Sequence, residues 1–205
     1  MSEVTPTPED QPKKTKRINS KKKGSGFEGH IGKLLGEKLA PMKFRRSQSS
    51  GAILGGQNER FMDQFSADAK ALFIGDVVPT NEADVIREQG WRMKFTIECK
   101  FYRDIDSLEH LLDKTRITGW YDKARIDAQK ISKQPLLIFK FNHSRTFCAL
   151  EAGYALPLTL RSMLSLHRYN PPNNLELRIF FLDEAFLDLN WWMERMEDFK
   201  VRASK

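Results

Sequence analysis

The chain has 205 residues, of which 40% are hydrophobic, 11% aromatic and 30% charged, and its formal net charge is +7. That length fits one domain with extensions, and the apolar share is enough for a packed core. Two cysteines, Cys99 and Cys148, exclude a disulfide scaffold, and no stretch approaches the roughly 20 apolar residues of a membrane span. Reduced thiols and an N-terminus without an apolar segment lead us to expect a cytoplasmic protein with no membrane partner.

The positive charge is uneven. Residues 1–25 hold seven basic side chains and three acids, so more than half of the net excess sits at one end. Residues 1–23 carry Pro6, Pro8 and Pro12 among Ser, Thr and Lys, and have almost no large apolar group. They cannot bury enough surface to offset chain entropy, and a disordered basic tail is expected. Such a tail gains affinity from phosphates, or it is a plain solvated linker.

Phe27, Ile31, Leu34, Leu35 and Leu39 recur at helical spacing, which predicts a helix over 26–39 that ends at Pro41. Residues 43–48 suggest a short strand. The next stretch, 49–75, is rich in Gly, Ser and small polar residues, with a helix expected over 60–72. A connection of that length is commonly functional. An apolar segment follows at Phe73-Ile74-Gly75-Asp76-Val77-Val78. From Trp91 to Tyr102, Met93, Phe95, Ile97, Cys99 and Phe101 alternate with Lys94, Thr96, Glu98, Lys100 and Tyr102. This period of two predicts a strand with one face on a core.

Residues 106–131 read as helical, broken near Gly119, with Leu108, Leu111 and Leu112 as one apolar set and Trp120, Ala124 and Ala128 as another. Pro135–Phe141 reads as a buried strand, with Phe147–Leu150 as its hairpin partner. A short helix is expected over 159–167, a strand over Leu175–Leu182, and a last helix through Trp191, Trp192 and Phe199. The order gives an α/β fold around a central mixed sheet flanked by helices. Three regions are expected: the tail at 1–23, a core at 24–145, and a C-terminal extension at 146–205 that packs on the core or dimerises.

The chemistry centres on Glu98-Cys99-Lys100. Residues i and i+2 of a strand share a face, so Glu98 and Lys100 project together, opposite the apolar row. A carboxylate can bind a hard cation through oxygen, and an ammonium can position water and offset charge on a phosphate. An acid-x-Lys triplet is weak evidence, because a chain this charged supplies others by chance, here Asp68-x-Lys70 and Asp198-x-Lys200. Only Glu98-x-Lys100 lies in a strongly alternating strand, preceded at hairpin-like distance by an acid in an apolar segment. The plain alternative is a solvated strand face with an ion pair.

Asp76 is that preceding acid. Aspartate disfavours strands, and burying its charge costs several kcal/mol unless something pairs with it. A cation shared with Glu98 would do so; so would backbone N–H groups in a turn after Gly75. Glu28 lies beside the apolar face of the first helix, one turn before Gly32, and by itself reads as an ordinary first-turn glutamate. Arg45, Arg46, Ser47, Ser49 and Ser50 supply donors suited to phosphate, or form a polar surface loop. His30, His110, His143 and His167 show no zinc spacing. Lys123, Gln129 and Lys130 read as a solvated helix face. Trp191-Trp192 reads as helix packing, with a partner surface or base-stacking platform as the alternative.

Taken in order, Lys23-Gly24-Ser25-Gly26-Phe27-Glu28, Phe44-Arg45-Arg46-Ser47 with Ser49-Ser50-Gly51, Gly75-Asp76-Val77-Val78 and Ile97-Glu98-Cys99-Lys100 resemble the PD-(D/E)xK nuclease superfamily. More narrowly, they are similar to the Holliday junction resolvases of archaea and to resolvase-like phage endonucleases, over roughly residues 21–142. The helix with Trp120, Ala124 and Ala128 and the strand Pro135–Lys140 fit the phage type. The resemblance implies a restriction-endonuclease-like core and a metal-dependent endonuclease that cleaves branched DNA by hydrolysis as a homodimer, in the host cytoplasm if phage-encoded.

It also implies roles. Asp76, Glu98 and the Cys99 carbonyl would hold Mg²⁺, with Mn²⁺ as a substitute; Lys100 would serve the attacking water; Glu28 would complete the site, through water if it reaches the metal. Lys22, Lys23, Arg45, Arg46, Ser47, Ser49 and Ser50 would contact DNA, with Ser47 or Ser50 matching the serine near the scissile phosphate, the choice left open by the long insertion between Gly51 and Asp76. Gly75 stands where the family often has proline. The competing functions are another nuclease of the same fold, restriction-like or recombination-associated, and a non-catalytic DNA-binding relative. The intact Asp76, Glu98 and Lys100 argue against the last.

Overall fold

The computed structural model describes residues 20–47, 64–65, 67–102, 114–168 and 174–196. Helix α1 (Ser20–Lys38) leads into strand β1 (Phe44–Arg46), and a short helix α2 (Ala67–Ala71) precedes β2 (Val77–Pro79). Helix α3 (Glu82–Gln89), β3 (Trp91–Met93) and β4 (Phe95–Tyr102) follow, then the long helix α4 (Lys114–Gln129). The rest is β5 (Gln134–Phe141), β6 (Thr146–Glu151), β7 (Met163–Arg168), β8 (Leu175–Phe181), one-turn helices α5 (Leu182–Ala185) and α6 (Leu189–Trp192), and β9 (Met193–Arg195).

Seven strands form one sheet in the order β1-β2-β4-β5-β6-β8-β7, while β3 and β9 make a separate two-stranded ribbon. The β4–β5 pair is parallel, and the other pairs of the large sheet are antiparallel. A parallel pair needs a crossover, and α4 is that crossover. The result is the expected α/β fold with a restriction-endonuclease-like mixed sheet.

Both faces of the sheet are covered. Phe27, Ile31 and Leu35 of α1 recur every four residues and pack on Ile97, Cys99, Leu136 and Ile138. Each such large side chain taken out of water contributes about 1.5–3 kcal/mol. On the other face Ile117 and Tyr121 of α4 pack on Leu137, Phe139 and Ala149. Strand β5 therefore alternates between two cores, which is why its sequence is a nearly unbroken apolar run.

The structure differs from the sequence expectations at several points. Helix α1 starts at Ser20, inside the segment expected to be a disordered tail; residues 1–19 lie outside the described residues. The expected strand from Trp91 splits at Lys94, whose N–H donates to Trp192 O while its own carbonyl accepts from Gln134 N. Helix α3 had no counterpart in the sequence reading. Its signals are Glu82 and Asp84 in the first turn and Gly90 at the end in the left-handed region (φ 71°), where its N–H donates to Ile86 O. Gly119 does not break α4, which runs through it. Leu108, Leu111, Leu112 and His110 lie outside the described residues; of the helix expected over 60–72, residues 67–71 form α2, while 60–63 and 66 lie outside the described residues.

The helix expected over 159–167 is a correction: residues 163–168 are strand β7, paired with β8 from Met163↔Phe180 to Arg168↔Leu175. Leu and Met favour helix locally, but a neighbouring strand with free main-chain groups outweighs that weak preference. The expected C-terminal helix is corrected in part: Trp191 and Trp192 do lie in helix α6, and Phe199 lies outside the described residues. After α6 the chain turns extended and β9 pairs with β3. Trp191 and Trp192 are buried against Phe95, Phe180 and Phe186, and their indole N–H groups donate to the Ala155 and Ala185 carbonyls. The segment expected as an extension after residue 145 supplies β6, β8 and β7 to the sheet itself.

Candidate active site

Asp76 reaches its position through Gly75. That glycine has φ of 102°, and a Cβ there would lie 3.0 Å from Ile97 O and 3.2 Å from Thr96 Cγ2. Only glycine combines this φ with so close an approach, and proline, fixed near −65°, is excluded. The bend lets Asp76 N donate to Ile97 O at 2.8 Å. The Asp76 side chain, 4% exposed, then accepts from Cys99 N through Oδ2 at 2.8 Å. The turn alternative foresaw part of this, since a backbone N–H does bind the carboxylate, but the donor comes from β4.

Glu98 and Lys100 leave β4 on the α4 side. Glu98 is buried, and its Oε1 accepts from Lys100 Nζ in a short contact and from Lys123 Nζ at 3.4 Å. Lys100 Nζ also lies 3.7 Å from Asp76 Oδ2 and donates to Cys99 O at 3.3 Å. One ammonium thus sits among Asp76, Glu98 and the Cys99 carbonyl, the three oxygen donors expected to hold a cation.

The electrostatics follow from this crowding. Burial, and then the Asp76 charge, push the Glu98 carboxyl above the usual carboxylate range, against the pull of Lys100 and Lys123. Burial acts to lower the Lys100 ammonium, but the Glu98 and Asp76 carboxylates outweigh it and the net shift is upward. The Cys99 thiol, buried on the α1 side of the strand and near these carboxylates, is pushed well up by burial and then by the Asp76 charge.

Glu28 stands apart. Its Oε2 accepts from Arg46 Nε at 2.5 Å, and through the pairing of Arg46 with Val77, and of Val77 with Ile97, that contact belongs to the α1 side of the sheet. Among the described residues no three His, Cys, Asp or Glu side chains come close enough to hold a metal ion. Two carboxylates and a main-chain carbonyl remain, a donor set that suits a hard divalent cation whose other positions are filled by water or phosphate.

The other expected DNA contacts are dispersed. Arg45 is exposed and, by strand alternation from Arg46, lies on the Glu98 side. Ser47 is 1% exposed; its N–H donates to Asp76 O at 2.8 Å and its hydroxyl to Phe73 O at 3.4 Å, so it ties the end of β1 to the Asp76 segment. Lys23 Nζ donates to Asn142 Oδ1 at 2.5 Å and sits 4.2 Å above the Phe101 ring. Lys22 falls within α1, but its side chain lies outside the described residues, as do Ser49 and Ser50.

The family model for "Phage putative PDDEXK endonuclease" matches residues 19–170, which span α1 through β7. The chain belongs to this phage endonuclease family. It is a nuclease of the PD-(D/E)xK type. No curated protein and no solved structure matches the chain. Strands β8 and β9 lie beyond the matched span, although β8 is an integral strand of the nuclease sheet.

Lys123 is the residue that sequence reasoning set aside. It was expected on a solvated face, and its side chain is indeed 57% exposed, yet its ammonium reaches Glu98. The signal lay in the spacing: Arg116, Trp120 and Lys123, at i, i+4 and i+7, form one stripe of α4. What the sequence could not show is that this stripe runs along the Glu98–Lys100 row of β4. In this nuclease no described helix is long and apolar enough to cross a membrane.

Proposed function

We propose that this endonuclease hydrolyses phosphodiester bonds in DNA with Mg²⁺, or Mn²⁺ in its place, at Asp76, Glu98 and the Cys99 carbonyl. The observation that carries the reading is the convergence of these three oxygens on one cationic group, the Lys100 ammonium. The bound cation would supply Lewis-acid charge at the scissile phosphate and lower the pKa of water.

The chain's own residues have separable tasks. Asp76 and Glu98 provide fixed negative charge at a buried point of the sheet. Lys100 would orient the attacking water and offset charge building on the phosphate. Lys123, more exposed, faces the phosphate from α4. Arg45 and the basic N-terminal segment hold the DNA backbone. The product carries a 5′ phosphate. Glu28 takes part through water or through its hold on Arg46.

The substrate we propose is branched DNA of the Holliday junction kind, and symmetric cutting of two strands then requires a second copy of the chain. The supporting argument is the sequence resemblance to junction resolvases. The test is cleavage of a labelled four-way junction, a linear duplex and a single strand with Mg²⁺, by wild type and Asp76→Ala. Paired symmetric nicks on the junction, lost in the variant, are expected. Cleavage of linear DNA instead would keep the site and move the substrate to the restriction-like or recombination-associated class. Tight binding without cleavage by wild type would sink the catalytic reading.

A further inference from the structure

The row of β4 that carries Glu98 and Lys100 ends on Tyr102, one strand repeat further on, roughly 6–7 Å at the backbone. The Tyr102 side chain is 42% exposed. Its ring centroid lies 5.9 Å from that of Trp120, and the Arg116 guanidinium sits 4.3 Å from the Tyr102 ring centroid. Trp120 rests in turn on Phe139, a fixed part of the core, with centroids 6.5 Å apart. Arg116, Trp120 and Lys123 are the same stripe of α4 that reaches Glu98. The aromatic step and the candidate catalytic carboxylates therefore lie on one continuous track.

Two features set this step apart from an ordinary exposed tyrosine. Among the described residues no carboxylate pairs with Arg116, and the ring fixes the direction of its guanidinium. The step also begins two residues after Lys100, to which the proposed site gives the role of offsetting charge on the scissile phosphate. A partly exposed ring with a guanidinium over one face matches a nucleotide, with the base on the ring's other face and the phosphate on the arginine.

We propose that Tyr102 and Trp120, with Arg116, form a subsite for one unpaired nucleotide next to the phosphate that is cut. A base inside an intact duplex is stacked on both sides and shows no free π face, so this subsite takes a strand opened at that nucleotide. The inference rests on the cleavage site proposed above and narrows its substrate to DNA with an unpaired or displaced nucleotide beside the cut. Tyr102 acts here as a specificity and positioning residue.

The probe is a splayed DNA fork with 2-aminopurine as the first unpaired nucleotide, titrated with the full chain carrying Asp76→Asn so that binding is read without cleavage. Quenching of the 2-aminopurine on binding is expected. Tyr102→Ala in the same background is expected to weaken fork binding about tenfold and remove the quenching, while Tyr102→Trp restores both. Tyr102→Leu, which keeps apolar bulk against Trp120, carries the same test should the alanine variant not fold. In the otherwise wild-type chain, Tyr102→Ala is expected to lower the preference for the fork over a linear duplex by a similar factor. Unchanged quenching and affinity with Tyr102→Ala or Tyr102→Leu would overturn the proposal. Quenching without cleavage of any DNA by wild type would support the subsite and remove the catalytic reading; cleavage beside an unquenched base would do the reverse.

Discussion

Cys99 donates its main-chain N–H to Asp76 Oδ2 at 2.8 Å, a bond between residues 23 positions apart that fixes one carboxylate of the site to the backbone of the strand carrying the other. Asp76 is thereby held at the site before any cation or DNA arrives, and preorganised charge of this kind is what a phosphoryl-transfer site requires. The order of importance among the acids follows from it.

Asp76→Asn is expected to lower cleavage by about 10²–10³ with little change in DNA binding, because the amide oxygen can still accept from Cys99 N while the negative charge is gone. Glu28→Gln is expected to cost less, about tenfold or below, since Glu28 sits on Arg46 and away from the Asp76–Glu98 pair. Single-turnover cleavage rates for the two variants check this. An equal loss at both positions would mean that Glu28 shares the centre.

Lys123→Ala is expected to reduce the cleavage rate by about tenfold and leave the melting temperature within a degree or two, because the Lys123 ammonium is exposed and the buried Glu98 carboxylate keeps Lys100 as its partner. Lys123→Arg should recover part of the rate. Rates beside thermal melts separate the two effects, and a stability loss without a rate loss would leave Lys123 a surface contact only.

Gly75→Ala is expected to destabilise the fold by about 1–3 kcal/mol, from the unfavourable φ and from the close approach of the new Cβ to Ile97 O. Any relief would move Asp76 off Cys99 N, so cleavage should fall more than the fraction folded. Denaturant titration together with the cleavage rate would show both.

Tyr121 makes stability fall at high pH. Burial pushes its phenol far up, and its oxygen accepts from Glu151 N at 2.9 Å. The unfolded phenol ionises near pH 10 while the folded one stays protonated, so this contribution is complete below about pH 10 and is lost progressively above it. Tyr121→Phe is expected to lose about 1 kcal/mol at about pH 8, through the unpaired Glu151 N–H, and to show a shallower decline by about pH 11. Denaturant midpoints at the two pH values are the measurement; equal declines would remove Tyr121 as the cause.

What the sequence by itself determined is local. Period two over Phe95–Tyr102 put Glu98 and Lys100 on one face, helical spacing placed Phe27, Ile31 and Leu35 on a core, and the apolar run Pro135–Phe141 marked a strand buried on both sides. Asp76, Glu98 and Lys100 were legible as candidates because charge in an apolar setting is costly unless paired, and the order of the motifs pointed to the nuclease superfamily.

The tertiary structure alone decided which distant groups meet. It set Asp76 on Cys99 N, turned Glu28 to Arg46, and laid Lys123 and Arg116 along the Glu98–Tyr102 row. It also made residues 163–168 a strand and residues 193–195 the partner of β3. No local signal encodes these outcomes, because main-chain groups of a strand are satisfied only by another strand, and which one it meets depends on the whole sheet. The candidate residues were written in the sequence; their distances came from the pairing of β2 with β4 and the packing of α4 on the sheet.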